Sequence, residues 1–452
     1  MLALVFCLLA ADRPTPQEFG AVADGTTDDT AAIQATIDAG RGGLTLPPGR
    51  YRLTETIVVD LAAVGPVALV GQPGAELIMD GPGPAIRLVG THEGTAFPKS
   101  VRPGVWARER MPTVSGVAVR GTHPEADGFE LVRTMQATLA GAHVRNCRHA
   151  IALRDRNRNV VIDRAHLYEN DGAGVLLDDV NLHQILIGDS HISYCLGGGV
   201  VVRRGEVRNL HIGNCDLEQN MPTDPDDPRT AESLAANLWV DLTPADDADD
   251  PPAPGTSRNY RNTLAELTVT GCTLQHSGKA RRGANIRIFG RANYPANMIA
   301  ITGNVLSDAS RNLDFDYVSG ATVTGNTFFT AKPVDVDVRR SRRLTFAGNH
   351  FDPRFYEGAR EQTGGLRFAD CDDIALSALQ IASVRSPSGA IALTDCNRVA
   401  ITGCVVRDCA AGISLTRVTD SALTGNILSE IDGGAITETD CVNVRRTGNV
   451  TP

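Results

Sequence analysis

A short phrase recurs along this chain, and its recurrence limits the folds open to it more than any other feature. VSGVAV (114–119), LAGAHV (139–144), VIDRAHL (161–167), LIGDSHI (186–192) and HIGNCDL (211–217) are followed by VTGCTL (269–274), ITGNVL (301–306), VTGNTF (323–328), FAGNHF (346–351), ITGCVV (401–406) and LTGNIL (423–428). The usual step is about 22 to 25 residues, within the range of periods that marks a solenoid. Longer steps read as loop insertions. Upstream of each phrase lies a second apolar alternation, as in GVLLDD (174–179), NLWVDL (237–242), NIRIFG (285–290), NLDFDY (312–317) and GLRFAD (365–370). Three short strands and three turns fit one such step. The expected fold is therefore all-β: a single-stranded right-handed parallel β-helix, with inward Ile, Val and Leu stacked at the strand spacing of about 4.8 Å. A leucine-rich horseshoe is discounted, because LxxLxLxxN does not recur.

Composition agrees with a core of small aliphatic side chains: 42% of residues are hydrophobic but only 5% aromatic, and there are 45 glycines. The formal charge of −10 makes nucleic acid a poor partner. Met1–Ala11 is apolar but far too short to span a bilayer, and no later segment could cross one. It reads as a signal peptide, so a secreted or periplasmic protein is expected, with residues 12–452 forming one β-helix domain. Insertions are expected near 92–111, 219–236 and 243–262, with smaller ones at 276–284, 291–297 and 352–363. An uncapped last coil is compatible with a homotrimer or with an open end.

In residues 17–53, Asp28 or Thr27 caps a helix from about Asp29 to Ala39, which Gly40 ends. Its apolar face, Ile33 and Ile37, closes the first coil, so the N-terminal cap spans about 17–45. The segment QEFGAVADGTTDDTAAIQ, with GGLTLPPGRY after it, resembles the N-terminal signature of the pectate-lyase-like β-helix family that includes rhamnogalacturonase- and epimerase-type domains. Phe19, Gly20, Ala21, Asp24, Gly25, Asp28, Asp29, Thr30, Ala32, Ile33, Gln34, Gly42, Gly43, Pro48, Gly49 and Tyr51 match, and Glu18 replaces an aspartate. The resemblance implies work on carbohydrate. It names no reaction, since hydrolases, lyases, epimerases and phage tail fibres share the fold.

Alternation on the upstream strand indexes its outward residues. One column reads Trp239, Arg287, Asp314, Asp337, Arg367; the other reads Asp241, Phe289, Asp316, Arg339. C-terminal coils place small neutral residues at the same positions, and the largest insertions flank Trp239 and Asp241, so the cleft is expected over strands 237–242 to 365–370. Stacked aspartates should raise one another's pKa, and a raised carboxyl beside an ionised one is what glycoside hydrolysis uses. Asp314, Asp316, Asp337 and Arg287 are accordingly the candidate catalytic residues. Trp239, Asp241, Phe289, Arg339 and Arg367 are the candidate substrate contacts, the arginines clamping a sugar carboxylate and Trp239 offering a flat face to a pyranose. An aspartate–arginine ladder that only neutralises itself is the alternative.

Asp178 is a second candidate acid, while His191, His211 and His276 read as structural. The Asn-Thr-Asp, His-Gly and Arg-x-Lys pattern of polygalacturonases is absent. Hydrolysis of a polysaccharide by the aspartates is placed ahead of calcium-assisted elimination, in which Arg287 or Arg339 is the base and the aspartates hold Ca2+. A non-catalytic carbohydrate-binding solenoid is the third reading. No metal site is assigned, and the cysteines read as buried thiols, with Cys371 and Cys396 on adjacent coils and able to bond.

Overall fold

The computed structural model describes residues 13–40, 42–94, 97–243, 262–278, 280–353 and 363–452. The expected leader, the acidic run Asp246–Asp250, most of the 243–262 and 352–363 insertions and part of 92–111 lie outside them. The rest of the chain winds into a parallel β-helix with three strands per coil. The upstream sheet contains, among others, Ala236–Asp241, Ala284–Phe289, Leu313–Asp316, Val336–Arg339 and Leu366–Ala369. A second sheet follows it in each coil (Thr263–Thr270, Ala296–Thr302, Val318–Thr324), and a third completes the turn (Asp216–Glu218, Thr273–Gln275, Val305–Leu306). Among the described residues the third sheet has 15 strands, stacked in chain order. The upstream and second sheets merge, because Ile151–Asp163 and Ala173–Gly188 run through the corner as single strands.

The sequence repeat maps onto this register. Arg287 pairs with Asp314, Asp314 with Asp337 and Asp337 with Arg367. The Gly-Asn phrase forms the corner expected of it: Gly303 and Gly325 take positive φ, and the following asparagines turn inward. Asn304 Nδ2 donates to Asn326 Oδ1 and Asn326 Nδ2 to Asn349 Oδ1, both at 3.0 Å. Where cysteine takes the asparagine's place, as at Cys272 and Cys404, its backbone N–H donates to the next asparagine. Every described cysteine, Cys371 and Cys396 included, is a free thiol. Beneath the middle coils the core gains aromatics, with Phe328 and Phe351 stacked at 4.4 Å and Phe346 edge-on to Phe368 at 5.4 Å.

The N-terminal helix is Thr30–Asp38, with Ile33 and Ile37 buried against the first coil. Its family-type residues have mechanical roles. Asp28 accepts from Thr30 N–H, Asp29 accepts from the N–H groups of Val22 and Ala23, and the buried Tyr51 donates to the Pro47 carbonyl. Gln34 both accepts from Val58 N–H and donates to the Val58 carbonyl, each at 2.9 Å. A side-chain amide thus satisfies the free edge of strand Ile57–Asp60. Gly43 has φ +111, and a Cβ there would lie 2.1 Å from the Ala68 carbonyl oxygen.

A second polar ladder runs inside the helix, at the entry to the upstream strand. Asn220 donates to Asn237, Asn237 to Asn285, Asn285 to Asn312 and Asn312 to Asp335, at 2.7 to 2.9 Å. Asp335 ends this series of amides with a carboxyl group whose Oδ2 has no partner. Burial raises its pKa from 3.8 to about 7, against the opposing hydrogen bonds of Asn312 and the Gly365 backbone. Because the folded pKa exceeds the unfolded one, the folded state holds a proton that the unfolded chain releases. Stability is therefore expected to fall as pH rises from about 4 to about 7 and then to level off. Asp335→Asn should remove that slope and raise the unfolding midpoint at pH 8, measured by thermal denaturation across pH.

Candidate functional site

The outward columns of the middle coils meet as expected, but they form a lattice of ion pairs. Arg287 lies under the loops that enter the upstream strand and is only 1% exposed. Its Nε and Nη2 reach Asp314 Oδ2 at 2.9 and 2.8 Å, Nη2 also donates to the Arg282 carbonyl, and Nη1 donates to the Leu234 carbonyl. Asp314 receives Arg339 on its other oxygen at 2.8 Å. Asp337, 1% exposed, is gripped by Arg367 through two bonds of 2.9 and 2.6 Å and by Arg339 at 2.6 Å, with Arg311 at 3.5 Å. Asp316 pairs with both Nε and Nη2 of Arg340. Phe289 carries guanidinium groups on its ring, Arg287 at 5.4 Å and Arg339 at 5.9 Å from the centroid.

This arrangement changes the expected chemistry. Carboxylates on adjacent coils would raise each other's pKa if they faced only one another, but guanidinium groups interleave them. For Asp337, burial opposes the charge, yet Arg367, Arg339 and Arg311 outweigh it and hold the carboxyl below the usual range. It is an ionised counter-charge and does not fit the part of a general acid. Arg287 is tied at each of its three nitrogens to protein acceptors, which does not fit the part of a base. The aspartates also do not fit a calcium ion, because a divalent cation there would have to displace several guanidinium groups. Among the described residues, no cluster of three His, Cys, Asp or Glu side chains is placed to hold a metal.

Two predicted contacts stand apart. Trp239 is partly buried and packs between Leu176 and Val201 on one side and Met221, Ala235 and Ala280 on the other, so its ring helps seat the 219–236 loop. Asp241 turns to its own loop and accepts from Thr243 N–H at 3.0 Å. Asp178, the second candidate acid, is paired in bidentate fashion with Arg204 at 2.7 and 2.6 Å. Its pKa is lowered, with burial working against Arg204, Arg203 and Arg154. His191 stacks on His166 at 5.2 Å.

Arg311 and Arg340 belong to the lattice but were not singled out from the sequence. Arg340 occupies a positive-φ corner directly after Arg339, and Arg311 precedes its strand. The signal was their adjacency to indexed strand ends, which alternation within strands does not reach. With them, five guanidinium groups face three carboxylates, an excess of two positive charges. Replacing Arg287 by alanine should leave Asp314 buried with only Arg339, at a cost of about 3–5 kcal/mol, to be read by denaturant unfolding.

The fold and the lattice can be set beside known proteins. Residues 97–227 and 259–450 match the family described as right handed beta helix region, and residues 16–82 match rhamnogalacturonase A/epimerase, pectate lyase-like. No curated protein matches the sequence. Among solved structures, tailspike protein 3 of bacteriophage CBA120 superposes with a TM-score of 0.55 at 13% identity, over 96% of this chain and 61% of the tailspike. The present chain thus spans about three fifths of the tailspike's length. PfbA, a surface adhesin of Streptococcus pneumoniae, gives 0.44 at 12% identity over 93% and 92% of the two chains. A family 28 exopolygalacturonase of Yersinia enterocolitica gives 0.34 at 13% identity over 97% and 78%. At such identities the likeness concerns the fold alone. Among the described residues no helix is long and apolar enough to cross a membrane. By its matched length and its three-sheet coils, the chain belongs to the right-handed β-helix family, with a pectate-lyase-like N-terminal segment.

Proposed function

We propose that this protein acts, outside the cytoplasm, on an acidic polysaccharide laid across the outer face of the upstream sheet. The observation that carries the reading is the excess of guanidinium over carboxylate in the lattice. Arg367 and Arg340 are about half exposed, at 54% and 45% of their side chains, whereas the aspartates beneath them are buried or nearly so. Asp314, Asp316 and Asp337 hold the guanidinium fans in fixed orientations, and the outer N–H groups remain available to sugar carboxylates. The match to a family named for a rhamnogalacturonase and an epimerase supports a carbohydrate polymer as the ligand. In this reading the aspartates are the supports of a binding floor, and hydrolysis by the three of them is set aside.

The test is binding to polygalacturonate and to neutral dextran over a salt series. Polygalacturonate should bind and dextran should not, and affinity should fall as salt rises. The double variant Arg340→Ala/Arg367→Ala should weaken binding about tenfold or more, the loss of one or two charge-assisted hydrogen bonds. Equal binding of the neutral polymer, or binding indifferent to salt, would refute the reading.

A further inference from the structure

The loop between strands Gly83–Val89 and Thr113–Ser115 leaves the outer corner where the upstream sheet passes into the second sheet, close to the capped end. Its underside is firmly built. Val101, Val105 and Glu109, spaced four apart, are all buried, and the two valines pack on Met135. Glu109 accepts from the N–H and from the hydroxyl of Thr91, both at 2.6 Å. Arg108 donates to the carbonyls of Ala62 and Ala63 at 3.1 and 2.9 Å, at the end of the short helix Leu61–Val64 in the preceding coil. Arg156 donates to the Gly94 carbonyl at 2.9 Å, and Arg102 to that of Thr91. The loop is thus pinned along its length.

Residues between the buried positions face outward, and three of them are large and apolar. Phe97, Trp106 and Met111 are 60%, 37% and 63% exposed. Met111 stands outward at a positive φ of 58°, a conformation uncommon for a bulky side chain, with its N–H on the Met135 carbonyl. A segment that only joined two strands would carry polar residues at such positions. The valines already supply the loop's own core, so the outward apolar groups are left for something outside the chain.

Charge on the loop indicates what they meet. Residues 97–111 contain Lys99, Arg102, Arg108 and Arg110 against a single acid, Glu109, which is turned inward. Glu93, just before them, is shared between Arg102 and Arg133 at 3.6 and 3.5 Å. On a chain of formal charge −10 the loop therefore carries a local positive excess. A sugar polymer would engage the cations but offers nothing to the side chain of Met111. Large apolar groups set among cations match the boundary of a bilayer, where acyl chains lie beneath anionic headgroups.

We propose that the 97–111 loop is an interfacial anchor that docks the capped end of the solenoid on a membrane bearing anionic lipids. Phe97, Trp106 and Met111 enter the acyl boundary, with the indole N–H at headgroup level. Lys99, Arg102 and Arg110 meet the lipid phosphates. The pinned underside fixes the loop in advance, so little ordering accompanies binding. The anchor is separate from the arginine lattice, whose Arg340 and Arg367 belong to the middle coils.

The experiment measures cosedimentation of the full chain with vesicles of phosphatidylcholine, alone or mixed with phosphatidylglycerol. The mixed vesicles should bind, the neutral ones much less, and salt should weaken the binding. Lys99→Glu/Arg110→Glu should lower partitioning about tenfold or more. Phe97→Ser/Trp106→Ser/Met111→Ser should lower it about 100-fold, with the unfolding midpoint unchanged. The chain's two tryptophans are Trp106 and Trp239, and Trp239 packs against Met221, Ala235 and Ala280. Emission should therefore shift to the blue on mixed vesicles in the parent protein and not in Trp106→Phe. Arg340→Ala/Arg367→Ala should weaken polygalacturonate binding and leave vesicle binding in place. The proposal is overturned if the mixed vesicles do not bind, if the apolar triple variant binds them like the parent, or if the emission does not shift. It is also overturned if the loop variants lose polygalacturonate in place of vesicles, an outcome that gives the loop to the acidic polymer.

Discussion

Coil-to-coil register is the constraint on which the rest of this structure depends. In a parallel β-helix every side chain sits within about 5 Å of its counterpart on the next coil, so a residue's chemistry is set by what is stacked above and below it. Apolar residues stack favourably without further arrangement, and the core requires little else. Polar and charged residues do not: each needs a complementary neighbour, or a neighbour that both donates and accepts. The two amide ladders and the ion-pair lattice are answers to that one requirement. Asparagine can extend a ladder indefinitely because its amide donates and accepts in the same direction, from Asn304 through Asn349 and from Asn220 through Asn312. Asp335 interrupts the second ladder at the cost of a buried carboxyl with an unpartnered oxygen.

The same logic separates what could be read from the sequence and what could not. Strand alternation is local, so the column Trp239, Arg287, Asp314, Asp337, Arg367 was legible down to individual pairings. What alternation conveys is direction, and direction differs from exposure. Arg287 points out of the helix yet is covered by loops whose path the sequence does not reveal, and its guanidinium group meets the carbonyls of Leu234 and Arg282. Trp239 likewise points outward and meets Met221, Ala235 and Ala280. The expectation of a raised aspartate failed for Asp337 because Arg367, the next residue of its own column, grips it through two bonds, and Arg339 adds to this diagonally from the second column. Side-chain reach across columns is absent from a one-dimensional index. The ion pair of His276, which reads as structural in the sequence, was not legible for a related reason. The histidine's partner Glu218 lies more than 50 residues away in sequence, separated by the insertion, and the two approach only because their corners stack.

The lattice also shows how a solenoid can present a charged face from regular strands and their corners. Buried ion pairs contribute little to stability when desolvation is counted, while removing one partner is costly. Their value here is orientation. Arg339 contacts Asp337 on its own coil and Asp314 on the preceding one, and two guanidinium groups rest against Phe289, so the donors that remain are fixed in direction.

One feature of the N-terminal half bears on how loads pass through the molecule. Ile151–Asp163 and Ala173–Gly188 continue from the upstream sheet into the second sheet without a turn. Elsewhere a corner is a place where the chain can open outward into a loop, as it does after Phe289. Along these two coils the strands round the bend without an outward loop, with a single register shift at Leu153–Asp155. Mechanically the segment is a curved plate, and torsion applied at the capped end is transmitted through it to the loop-bearing coils. The capped end is thereby a stiff mount for the rest of the solenoid.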